Sequence, residues 1–444
     1  MTTQSNKALV RKLAALTSVL ALGGSLGVAA VFGGSAPSFA DPANYATGGG
    51  PNSVGIGDLN GDGKQDIATA NLRSRNVAVL LNRGRGSFPS ATYYQSGSGP
   101  ISVAIGDLNG DGKADLAVAN VVADTVSALL NNGDGTFQAK RDYATGHQPQ
   151  SIALGDLNGD GKADLATVSY GLVSVLLNTG DGSFGPKHYY PAGDGPSVAI
   201  GDLNGDGKAD LAIANALDDA VAVLLNNGNG TFQAKRGYSS GGGPSSVAIG
   251  DLNRDGKADL ATANETSDTA SVLLNKGDGS FGPNLDYGTG DGPVSVAIGD
   301  LNGDRKADLA IANIDENAVS VLAGRGDGTF QAKLDYRTGR VPRSIAIGDL
   351  NGDRMPDLAT ANYGAESVSV LANTLCLVPK VRGKTLQAAK RMIARANCRV
   401  GKIRSAYAKT VKQGRLISEK PKPGTVLRGG GKVDLVVSRG RRPL

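Results

Sequence analysis

The string Asp-x-Asn-x-Asp-Gly-x-x-Asp recurs seven times in this chain, with its second half degraded in the last two copies, and it limits what the chain can fold into more than any other feature. The first copy runs from Asp58 to Asp66, and later copies open at Asp107, Asp156, Asp202, Asp251, Asp300 and Asp349. Successive openings are 49, 49, 46, 49, 49 and 49 residues apart. Such a period means that one supersecondary unit is built seven times and stacked, because a single unit cannot bury its apolar face alone.

The second unit shows what is repeated. Ile101–Gly106 alternates apolar and small residues, as a strand does. The acidic loop Asp107–Asp115 follows, and then strands over Leu116–Asn120 and Thr125–Leu130. Asn132–Gly135 is a tight turn, and Thr136–Tyr143 is expected as a fourth strand. No helical period interrupts these units. Four antiparallel strands per unit, repeated radially, predict an all-β seven-bladed propeller over residues 41–375, with an open solenoid as the alternative. The ends predict closure. The seventh unit stops at Val370–Asn373 without a fourth strand, while Asn44–Gly48 at the front carries the fourth-strand pattern seen at Asp142–Gly146. Pairing the two would remove exposed sheet edges. Phe88, Phe137, Phe184, Phe232, Phe281 and Phe330 recur after the Gly-x-Gly turns, and Tyr45, Tyr143, Tyr238, Tyr287 and Tyr336 recur in the fourth strand. They are expected to pack between units. Tyr170, Tyr363 and the doubled Tyr93-Tyr94 and Tyr189-Tyr190 fall outside that pattern.

The repeated string is also a chelate. Calcium takes about six to eight oxygens, and odd positions of a nine-residue loop can supply them. The candidate ligands are Asp58, Asn60, Asp62, Lys64 and Asp66; Asp107, Asn109, Asp111, Lys113 and Asp115; Asp156, Asn158, Asp160, Lys162 and Asp164; and Asp202, Asn204, Asp206, Lys208 and Asp210. The fifth to seventh loops offer Asp251, Asn253, Asp255, Lys257 and Asp259; Asp300, Asn302, Asp304, Lys306 and Asp308; and Asp349, Asn351, Asp353, Met355 and Asp357. The seventh position would give a backbone carbonyl, and the ninth would close the shell. The loop is like the first half of an EF-hand, but position 12 falls on residues such as Val118 instead of Glu, and no helices flank it. Asx-rich hairpins without metal are the alternative. Arg305 and Arg354 replace a turn glycine, and Met355-Pro356 follows in the last copy, so these two sites are expected to be the weakest of up to seven. Arg254 replaces a glycine with no ligand duty, so the fifth loop is expected to bind.

The ends differ in charge. Residues 1–40 hold Lys7, Arg11 and Lys12, an apolar run from Leu13 to Phe32, and Ser38-Phe39-Ala40, which predicts a secretory leader cut after Ala40. An uncleaved membrane anchor is the alternative. No second apolar run is long enough to span a bilayer, so the mature chain is expected to be soluble or wall-bound. From Cys376 to Leu444 there are 19 Lys and Arg against Glu419 and Asp434, a net +17, whereas residues 41–375 carry a net −15. A basic tail in a secreted chain points to an anionic envelope polymer and away from nucleic acid. Cys376 and Cys398, the only cysteines, are expected to form a disulfide.

These units resemble FG-GAP/VCBS repeats, the calcium-loop blades of the integrin α-type propeller and of many secreted bacterial proteins, over about residues 43–373. The resemblance implies calcium between the first and second strands on one face of the disc. It implies ligand contacts on the opposite face, here the loops Gly146–Pro149, Asn71–Asn76 and Asn313–Asn317. The tail, 376–440 before the basic 441–444, resembles a PASTA domain. The matching residues are Val378-Pro379, Gly383 and Thr385, a helix over Leu386–Ala396, Gly414–Thr425 and Val433–Ser438. This implies a small α+β domain associated with peptidoglycan. The cysteine pair would then tie its opening strand to the segment after the helix.

No catalytic constellation is expected. His147 and His188, the only histidines, have no repeated partner, and no helix follows the Gly-rich turns to cradle phosphate. The reading is a monomeric, non-catalytic binding or adhesion scaffold, secreted or wall-associated. Its tail would hold peptidoglycan or another anionic envelope polymer, and its free face an unidentified protein or glycan. The alternative is a polysaccharide-binding lectin or polysaccharide-active enzyme. The absence of Trp makes stacking platforms scarce and disfavours it.

Overall fold

The structure, a computed structural model, describes residues 36–442. Most of the expected leader, residues 1–35, lies outside them. Each unit folds as a four-stranded antiparallel meander. In the first blade the strands are Pro51–Gly57, Asp66–Asn71, Asn76–Leu80 and Ala91–Gln95, hydrogen-bonded in that order. Five further blades repeat this arrangement through Arg337. The second strand is buried at every residue in all seven blades. Both of its faces are covered, one by each neighbouring blade. Alternation is therefore lost, and alanines such as Ala68 and Ala70 let the sheets approach.

The seventh blade is composite. Its sheet runs Ala43–Ala46, Ser367–Leu371, Asp357–Asn362, Pro342–Gly348, with Tyr45 opposite Val368. The expected closure by the N-terminal strand is thus present. Each blade remains its own sheet, and the ring is joined between sheets. Ser53, Ser102, Ser151, Ser197, Ser246, Ser295 and Ser344 each accept through Oγ the backbone N–H of Val103, Ile152, Val198, Val247, Val296, Ile345 and Val54 at 3.2–3.4 Å. The last of these bonds links the first blade to the seventh. Val54 and Ile67 also share a core with Leu350, Ala359 and Val368 across the same junction.

One expectation needs correction. The fourth strand is shorter than Thr136–Tyr143. It covers Arg141–Ala144, and Phe137 instead makes an isolated bridge to Asn131 as the chain crosses the blade edge. Phe39 and Ala40, assigned to the leader, are built into blade seven. Phe39 bridges Asn373, Ala40 N–H donates to Ala372 O at 2.8 Å, and Thr374 N–H donates to Ser38 O at 2.8 Å. The reason is the inter-blade aromatic pair. Tyr45–Phe88, Tyr94–Phe137, Tyr143–Phe184, Tyr190–Phe232, Tyr238–Phe281 and Tyr287–Phe330 meet edge to face at 5.1–5.3 Å. The seventh pair is Tyr336 with Phe39, at 5.1 Å. Tyr94 and Tyr190 therefore belong to the repeat.

The tail domain has a three-stranded sheet, Arg399–Ala406, Lys432–Ser438 and Leu416–Lys420, and a short pair, Cys376–Leu377 with Val426–Leu427. The helix Leu386–Arg395 is capped by Thr385 Oγ1, which accepts Ala388 N–H at 3.3 Å. It buries Ala389 and Ile393 against Val433 and Leu435. Cys376 and Cys398 are joined by a disulfide, as expected. No helix among the described residues is long and apolar enough to cross a membrane.

Candidate metal-binding loops

All seven Asp strings join the first and second strands of their blades, so they share one face of the ring. In the second blade the loop opens after Gly106, which pairs with Asp115 at the other end. Asp107 Oδ1 accepts N–H groups from Asn109, Gly110 and Asp111, and its Oδ2 accepts Gly112 N–H at 2.8 Å. Asn109 Oδ1 accepts Asp111 N–H at 3.0 Å, and Asp111 Oδ1 accepts Lys113 N–H at 3.0 Å. These Asx turns wind the backbone around its own side chains. Gly110 and Gly112 make this possible with φ of 76° and 78°, conformations that suit glycine.

The ninth position has a second duty that the sequence reading missed. Asp115 is fully buried, and its Oδ2 accepts Leu108 N–H at 2.9 Å while Oδ1 accepts Asn131 N–H at 2.7 Å. The Asn131 amide then donates to Leu59 O of the preceding loop at 2.8 Å and to Ala114 O at 2.7 Å. Asn82, Asn178, Asn226, Asn275 and Asn373 repeat this staple, each reaching back to the previous loop. Gly324 breaks the series in blade six. The recurrence of Asn two residues before the first glycine of the Gly-x-Gly turn was the available signal.

Burial, reinforced by the charges of Asp111 and Asp107, pushes the Asp115 carboxyl above its ordinary range. Among the described residues Lys113 pairs with this loop, its Nζ 3.2 Å from Asp111 Oδ2, and Lys64, Lys162, Lys208, Lys257 and Lys306 repeat that pair in their loops. Among the described residues no three His, Cys, Asp or Glu side chains converge on a common point. The chemistry of the donor set nevertheless fits a hard cation. Each loop gathers three carboxylates and an amide oxygen, one carboxylate being buried and short of positive charge.

The profile of the FG-GAP-like repeat matches residues 58–118, 107–167, 156–213, 202–262, 254–311 and 300–360, and that of the PASTA domain matches 377–439. The chain belongs to the FG-GAP repeat family. The chain is 36% identical over 63 residues to a probable serine/threonine-protein kinase of Clostridium acetobutylicum, a match covering 14% of this chain and 10% of that protein. The chain thus spans about a tenth of that relative's length. Among solved structures, a lectin of Agrocybe aegerita specific for non-reducing terminal N-acetylglucosamine aligns with TM-score 0.50 and 21% identity over 74% of this chain and 96% of its own. BBS1N in complex with ARL6DN aligns with TM-score 0.55 and 12% identity over 76% and 97%. Virginiamycin B lyase of Staphylococcus aureus aligns with TM-score 0.51 and 13% identity over 76% and 99%. At these identities the likeness is one of fold.

Within this FG-GAP propeller the sixth and seventh loops stand apart. Arg305 and Arg354 adopt φ of 66° and 75° where the sibling loops have glycine, and Arg254 does the same at 65°. The backbone strain therefore extends to the fifth loop as well. The PASTA domain sits on loops six and seven. Asn397 Nδ2 donates to Asp353 Oδ2 at 2.5 Å and to Asn373 O at 3.0 Å. Met355 is buried, and a Cβ on Gly303 would come within 2.5 Å of Val426. Burial pushes Asp308 and Asp357 up to about 7 and Asp353 up to about 6. In loop seven the Asn351 amide donates to Asp357 Oδ1 at 3.2 Å, a bond added to the two backbone N–H groups that the ninth-position carboxylate accepts in every loop. That loop fits a cation less well than the first five.

The opposite face carries the second-to-third hairpins and the connections between blades. His147 Nδ1 lies 3.0 Å from Asp124 Oδ2 there, both exposed, and His188 lies in a fourth strand. Blade three is three residues short on this face, and Ser169 takes the place held by Asn120 and Asn264 in other blades. A groove of about 310 Å³ opens beside it, lined by Gln150, Ser169, Tyr170, Asp194, Pro196 and Leu217 among others. Tyr170 and Leu217 are 63% and 75% exposed, and the buried Ser169 Oγ has no partner among the described residues.

Proposed function

We propose that this chain is an extracellular, non-catalytic binding scaffold, stiffened by calcium in its Asp loops and tethered to peptidoglycan by its PASTA domain. The observation that carries the reading is the pairing of five equivalent oxygen-rich loops with a strongly basic PASTA domain on the same face. Asp58, Asn60, Asp62, Lys64 and Asp66, and their counterparts through Asp259, would hold the ion. When bound, it would offset the carboxylate charge that each loop gathers. Extracellular calcium modules bind at about 10⁻⁴–10⁻³ M, which suits permanent occupancy and a structural role. The disulfide and the leader-like N-terminus support export. With the PASTA domain on the Asp-loop face, the opposite face is left for a partner. Co-sedimentation of the full chain with purified peptidoglycan tests the tether, and failure to sediment at low salt overturns it. Melting with and without a chelator tests the ion. Binding to the folded state must raise the melting point with calcium concentration.

A glycan reading of the free face has one specific support, the Tyr170 groove. An exposed ring beside a carboxylate, an amide and an unpartnered hydroxyl suits a sugar. The lectin with the same fold is consistent with that use of a propeller. Glycan-array binding by the wild type, lost in Tyr170→Ala, would favour it.

A further inference from the structure

We infer that the cleft between the propeller and the PASTA domain is a composite oxyanion site, which takes carboxylate groups of peptidoglycan. The inference rests on the reading of the PASTA domain as a wall tether, and it adds a propeller residue to that site. The cleft has a volume of about 700 Å³ and is lined by Arg85, Asn351, Ala372, Arg391, Ala394, Arg395 and Asn397. Arg391 and Arg395 lie one helical turn apart on Leu386–Arg395, so they share a face. Arg85 approaches from blade one.

Among the described residues none of the three guanidinium groups makes an ion pair. The Asn351 and Asn397 amides are held by Asp357 and Asp353. The free donors of the cleft are therefore three forks suited to planar oxyanions.

Arg85 breaks the pattern of the six Gly-x-Gly turns at a local cost. The equivalent turn position is Asp134, Asp181, Asn229, Asp278 and Asp327 in the other blades with a complete turn. There the side chain accepts the N–H two residues on at 2.9–3.1 Å. Arg85 forgoes that bond and adopts φ of 59°. Backbone strain without a local return points to a role outside the turn. Of these turns, the one carrying arginine in place of Asp or Asn is the one that faces the arginine pair of the helix.

The test uses the full chain with two variants, Arg85→Asp and Arg391→Ala/Arg395→Ala. Arg85→Asp restores the sibling turn, so its melting point should not fall. The helix pair is exposed and its replacement keeps helix propensity. The probe is purified peptidoglycan stripped of teichoic acid, in a sedimentation assay at low and high salt. Each variant should bind roughly two- to five-fold more weakly at low salt, and the gap should narrow at high salt through screening. Wild-type binding that both variants match overturns the cleft and leaves the tether standing. Absence of wild-type binding overturns both. Binding only to sacculi that retain teichoic acid overturns the carboxylate assignment.

Discussion

Titrating the metal-free protein gives a direct measure of how far the Asp loops depend on a cation. Asp308 and Asp357 close loops six and seven, and burial with help from neighbouring carboxylates raises them from 3.8 to about 7. Ionising one such carboxyl therefore costs the folded state of order 4 kcal/mol relative to the unfolded chain. Between about pH 3.8 and 7 the folded state binds more protons than the unfolded state. Stability must then fall as pH rises through that window and level off above it. Asp353, raised to about 6, acts in the same direction. Asp62, held down chiefly by its bond to Lys64, acts the other way, but its contribution is lost only as pH falls through the ordinary carboxylate range and below. Urea unfolding in chelator at pH 4.5, 5.5, 6.5 and 7.5 should show midpoints that decrease with pH. Calcium should flatten or invert the trend, because ligating carboxylates must be deprotonated. A metal-free midpoint that rises steadily from pH 4.5 to 7.5 would refute the reasoning.

Four further outcomes are expected. Phe39→Ala should destabilise the ring by about 3–5 kcal/mol, because it removes the Phe39–Tyr336 pair at the junction of blades six and seven. By the same reasoning N-terminal sequencing of exported protein should find a start at or before Pro37, and a start at Asp41 would contradict the role given to Phe39. Native mass spectrometry at millimolar calcium should find about five ions bound and not seven, with the PASTA domain excluding loop seven first. Asn131→Ala should cost about 2–4 kcal/mol, because the buried carbonyl of Leu59 and the partly buried carbonyl of Ala114 both lose their amide donor. Denaturant midpoints would measure it.

What the sequence disclosed follows from what repeats locally. The Asp strings, the number of blades and the composite last blade were legible because each is a pattern of neighbours in the chain. The serine bonds between blades were not, since Ser344 and Val54 are 290 residues apart. Asp115 was read as a ligand alone because its bonds to Leu108 and Asn131 appear only once the hairpin is folded. The packing of Phe39 was not legible because Ser38 and Ala40, the small residues that predict a cleavage site, flank it in the chain. Six recurring phenylalanines in a ring of seven blades were the remaining clue. Tyr94 and Tyr190 were hidden by the second tyrosine beside each.

The departures in loops six and seven now have a physical account that the sequence alone did not supply. Arg305, Arg354 and Met355 looked like decay of a chelate. In the fold these loops form the seat of the PASTA domain, and Met355 is buried there. A lysine at position seven, as in the other six loops, would bring a charge into that seat. Asn397 instead presents an amide to Asp353, a neutral donor at a carboxylate that lysine pairs with in loops one to six. Loop seven has thus exchanged a cation for a side chain of the tail, and the exchange fixes where the domain sits. Replacing Asn397 with Ala leaves Asp353 buried without that donor. The expected result is a looser PASTA domain, read as faster proteolysis between Asn373 and Cys376, with the calcium stoichiometry proposed for the first five loops unchanged. Unchanged proteolysis would mean that the amide is incidental to docking.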